Sequence, residues 1–67
     1  MAPNWLVDYL VAPTRAEDGG PPADAERVTM GVAAVDAQGA KEAARIQIMR
    51  QFPSEVKWER ETRPARK

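Results

Sequence analysis

The sequence predicts a small α+β domain whose elements follow the order β-β-α-β, and three observations carry that prediction. Residues 5–11 and 27–35 are rich in β-branched and aromatic side chains and alternate along their length. Behind Asp36, alanines and an isoleucine recur at helical spacing until Pro53 interrupts them. A further alternating run, EVKWERET, occupies residues 55–62.

Residues 5–11 read WLVDYLV, bounded by Pro3 and Pro13. Alternation puts Trp5, Val7, Tyr9 and Val11 on one face and Leu6, Asp8 and Leu10 on the other. Both rows are largely apolar, which suits a central strand. Asp8 interrupts the second row and is expected to pair with Arg60 or another nearby cation. Residues 13–26, PTRAEDGGPPADAE, have almost no large apolar side chain and are broken by Gly19, Gly20, Pro21 and Pro22. They read as a long, mobile, acidic loop.

The second strand, RVTMGVAAV, places Val28, Met30, Val32 and Ala34 on one face. Gly31 falls on the other, as a small residue beneath the helix. Asp36 can accept the unpaired N–H groups of a first helical turn, so a helix is expected over Ala37–Gln51. Ala37, Ala40, Ala44 and Ile48 fall within about 80° on a helical wheel, and Phe52 extends the stripe. Ile46 and Met49 lie off it. Pro53 disfavours the α region before it and ends the helix. In the third strand Val56 and Trp58 point one way, and Glu55, Lys57, Glu59 and Glu61 the other, as befits an edge. Residues 1–62 form one domain, and the basic tail, 63–67, is expected to be loose.

Two strand orders satisfy these elements: the third strand beside the second, or order 2-1-3 with all neighbours antiparallel. The doubly apolar first strand favours 2-1-3, with the single helix packed on one face.

Composition narrows the function. The 67 residues contain no cysteine and no histidine. That removes a disulfide framework and nearly every zinc, copper or haem ligand set. It also removes the usual nucleophile–base pairs, so no enzyme, cofactor or metal is expected. Glu17, Asp18 and Asp24 lack the spacing of a calcium loop, and Asp18-Gly-Gly-Pro-Pro lacks the spacing and lysine of a phosphate loop. No apolar run approaches the roughly 20 residues of a membrane helix, and no signal peptide is read at the N-terminus. A cysteine-free chain suits a reducing, cytoplasmic setting. Alanine and arginine abound while lysine is scarce, a composition that suits a bacterial or phage genome and a phage accessory protein.

Net charge is zero, but residues 1–26 carry five acids against one base and residues 27–67 nine bases against five acids. One helix covers one sheet face and leaves large side chains on the other. Burying each is worth about 1.5–3 kcal/mol, which a small domain needs. The expected function is therefore a protein-interaction module: a homo-oligomer, or a small subunit or inhibitor of a larger partner. Leu6, Leu10, Ile46 and Met49 are the candidate contacts. The alternative is a single-stranded nucleic-acid binder. In it Trp5, Tyr9 and Trp58 share a face and stack bases, while Arg60, Arg63, Arg66 and Lys67 track phosphates.

Overall fold

The computed structural model describes residues 2–66. Strand β1 (Trp5–Ala12) is followed by β2 (Glu26–Val32), helix α1 (Ala37–Gln51) and β3 (Val56–Pro64). The three strands form one sheet of order β2-β1-β3, antiparallel at both junctions. The doubly apolar strand is the central one, as its composition predicts.

The helix keeps the expected bounds because both ends are specified locally. The Asp36 carboxylate accepts the Gly39 N–H at 2.9 Å, which satisfies one donor of the first turn. Phe52 N–H closes the last turn onto the Ile48 carbonyl at 2.9 Å, and Pro53 follows. Ala40, Ala44 and Ile48 are buried against Val7, Tyr9, Val11, Met30 and Val32. The two alanines let the helix lie close to the sheet. Trp5, Val28, Ala34, Ala43 and Phe52 pack around this core.

Asn4 fastens the connection from β2 to α1. Its side-chain amide donates to the Ala34 carbonyl at 2.8 Å and accepts the Ala34 N–H at 2.9 Å. The Trp5 indole N–H reaches the same carbonyl at 3.2 Å. Between them, β2 ends at Val32, three residues short of the expected bound.

The acidic segment before β2 is more organised than its composition suggests. Gly19 N–H donates to Ala16 O, Ala16 N–H to Gly20 O and Ala25 N–H to Pro22 O. Asp18 accepts the Gly20 N–H at 2.9 Å. Gly19 has φ 87°, a left-handed conformation that glycine adopts without strain. Local side-chain and turn bonds thus supply the order that apolar anchors do not.

The third strand runs past its expected end to Pro64, so Arg63 belongs to the sheet. Ala65 N–H bonds the Asn4 carbonyl at 3.1 Å just past the strand. Lys67 lies outside the described residues.

Candidate functional site

The helix-free face follows from the register. Leu10 sits between Arg27 and Trp58, Asp8 between Thr29 and Glu61, and Leu6 between Gly31 and Arg63. Residues directly opposite in antiparallel strands share a face. These nine positions therefore form a grid of three rows, with the β1 residues along its middle.

At the centre Asp8 is fully buried, the one buried charge among the described residues. One carboxylate oxygen accepts the Thr29 hydroxyl at 2.7 Å. The other accepts Arg27 at 2.9 Å and also Arg63. All three donors come from the flanking strands, so this carboxylate ties β2 and β3 to β1. Burial alone would push its pKa up. The hydrogen bonds from Thr29, Arg27 and Arg63 outweigh that and hold it at about 2.

The expected ion pair of Asp8 is present, but with Arg27 and Arg63 and not with Arg60. The register between β1 and β3 shifts between Asp8 and Tyr9, so that Tyr9 faces Glu59 and Asp8 faces Glu61. Arg60 is the extra residue of this bulge. It lines a cleft of about 390 Å³ together with Asp8, Leu10, Arg27 and Glu61. Sequence reasoning finds Asp8 but misses Arg27 and Arg63 as its partners. Arg27 shares the alternation of Thr29, a readable signal once β2 is paired with β1. Arg63 is hidden by the proline after it.

The face is also less bare than expected. Leu6 and Leu10 are half-buried rather than exposed, and the Arg27 and Arg63 head groups converge on Asp8 between them. Gly31 lies on this face and not beneath the helix. A side chain there would meet the Pro3 ring at 3.4 Å.

The three aromatics do not share a face. Trp5 and Tyr9 belong to the helix-covered core, whereas Trp58 lies opposite Leu10. Alternation within β3 is as expected for Val56 and Trp58. The register, which alternation leaves open, sends Trp58 to the other side, while Val56, at the start of the strand, lines a cleft with Tyr9 and Ile48. Arg15 stands 5.8 Å above the Trp58 ring centre, within cation–π range.

The candidate contacts separate as well. Leu6 and Leu10 are on the helix-free face, while Ile46 and Met49 are exposed on α1, on the opposite side of the molecule. Met49 lines a different cleft, beside Tyr9, Arg45, Lys57 and Glu59. There the Tyr9 hydroxyl is buried without a protein partner. Burial, then the charge of Glu59, raises its pKa. Arg66 is exposed beyond β3.

Among the described residues no three His, Cys, Asp or Glu side chains are grouped to hold a metal ion. No helix among them is long and apolar enough to cross a membrane. Compared with known proteins, the chain matches no family model, no curated protein and no solved structure.

Proposed function

We propose that this chain is a non-enzymatic protein-interaction module whose helix-free face docks an acidic segment of a partner protein. One observation carries the reading. The face sets Leu6, Leu10 and Trp58 among Arg27, Arg60 and Arg63. Tryptophan and arginine are the side chains that most often dominate binding energy at protein interfaces. The only carboxylates in the grid are Asp8, which is buried, and Glu61. Arg27 and Arg63 are balanced by Asp8 and by Glu61, which Arg63 reaches at 3.6 Å, so Arg60 supplies the face's net positive charge, and a partner offering Asp or Glu beside a large apolar side chain is complementary to it. A small subunit or inhibitor fits this description, including a phage accessory protein. The lack of cysteine supports a cytoplasmic setting.

The nucleic-acid reading loses support by comparison. A base-stacking platform needs several aromatics on one surface, and here Trp58 stands without Trp5 and Tyr9. The two readings separate in one titration. Short peptides carrying Glu beside Leu are expected to bind, and Arg60→Glu to weaken them about tenfold. Peptides with Lys in place of Glu are expected not to bind. If oligonucleotides bind at low salt while acidic peptides do not, the protein-docking reading fails and the nucleic-acid reading replaces it.

A further inference from the structure

The sheet has two free edges, and they differ in a way that the proposed docking face does not require. On β3, the outer strand carries Lys57, Glu59, Arg60, Glu61 and Arg63, a bulge at Arg60 and Pro64 at its end. Charges, bulges and prolines are the devices that keep a strand edge from pairing with another chain. The edge formed by β2 has none of them after its first two residues: it reads ERVTMGV.

The helix repeats the contrast. Lys41 reaches Glu59 at 4.0 Å, and Gln38, Glu42 and Arg45 line the same cleft beside β3. At 100° per residue, the opposite flank, toward β2, carries Gly39, Ala43 and Gln47, with Arg50 as its one charge. One side of the molecule is thus charged and interrupted, and the other carries few charges, Glu26 and Arg27 at the start of β2 and Arg50 at the end of α1.

We infer that β2 pairs with β2 of a second copy about a two-fold axis at Thr29, giving one continuous six-stranded sheet. This register uses the whole strand. It sets Val28 against the partner's Met30 on the helix side and Thr29 against the partner's Thr29 on the free face. Arg27 then faces Gly31, and Glu26 faces Val32. Both strand charges lie at the first end of β2, so antiparallel pairing carries them to opposite ends of the joint and no like charges meet. Centring on Val28 instead would set Met30 against Glu26. A second copy fits better than an added peptide strand, because only a second copy brings a helix to cover the sparsely charged flank of α1. With the axis perpendicular to the sheet, the interface is isologous and closes as a dimer. The two helix-free faces then lie side by side as one bivalent platform.

The test begins with light scattering on a sizing column. The mass is expected to rise from 7.4 kDa to twice that value with concentration. A mass that stays at the monomer value up to about 1 mM overturns the inference. Because the chain has no cysteine, single cysteines then locate the joint. Thr29→Cys is expected to cross-link about tenfold faster than Glu59→Cys on the other edge, since the two-fold raises its effective concentration. Equal rates overturn the pairing even if a dimer exists. Because Thr29 also donates to Asp8, slowed hydrogen exchange at the outer β2 amides of the unaltered dimer provides a second reading. Unslowed exchange there contradicts the inference. Peptide binding at Trp58 is measured separately, so the docking face and the dimer can fail independently.

Discussion

The two faces of the sheet are built from alternate residues of the same strand and obey different physics. On the helix side, Val7, Tyr9 and Val11 meet Ala40, Ala44 and Ile48 in an apolar core, held by removal of apolar surface from water. On the free side, Leu6 and Leu10 flank a buried carboxylate whose partners are two arginines and a threonine. The first face is stabilised by shape and can tolerate no void. The second is stabilised by a hydrogen-bonded charge cluster, which leaves arginine head groups in water and available to a partner. A small domain with one helix thus finishes its uncovered face without a second apolar layer.

This contrast can be broken from either side. Ile48→Ala should be the larger disruption, costing about 3 kcal/mol through lost burial and the cavity left behind. Urea denaturation checks it. A value below about 1 kcal/mol would mean that the helix side is not the main core.

The free face should fail with acid instead. The Asp8 carboxyl is held at about 2 in the fold, against 3.8 for its ordinary value. A lowered folded-state pKa contributes stability that is fully present above the ordinary value and lost as pH falls through the folded one. A tenfold change in proton affinity is worth about 1.4 kcal/mol, so about 2 kcal/mol should disappear between roughly pH 4 and pH 2. Urea midpoints for the protein and for Asp8→Asn should differ at pH 6 and converge at pH 2. Midpoints that differ equally at both would show that the carboxylate charge is not what holds this face.

Asp36→Ala should have the smallest effect, about 1 kcal/mol, because it removes one cap hydrogen bond at the start of α1. Thermal denaturation should show the loss while peptide binding is unchanged.

The helix is legible in the sequence because its signals are local. A capping Asp36, an alanine stripe and Pro53 lie within one segment and need no tertiary context. The strand order is legible because WLVDYLV is apolar on both faces and only the centre suits it. What stays hidden is register. A shift of one residue moves a whole strand's side chains between faces, and nothing near Trp58 says whether it faces Tyr9 or Leu10. The bulge at Arg60 then brings Glu61 onto the Trp58 face, against simple alternation. Asp8 stands out in the sequence as a charge on an apolar strand. Its partners do not, since Arg27 and Arg63 are 19 and 55 residues away in the chain.

Amide chemical shifts during titration with an acidic, leucine-containing peptide show whether the free face is the docking face. Shifts are expected along Leu6, Asp8, Leu10, Thr29, Trp58 and Arg63, with Ala40, Ala44 and Ile48 unmoved. Shifts confined to the outer surface of α1, around Ile46 and Met49, would contradict it.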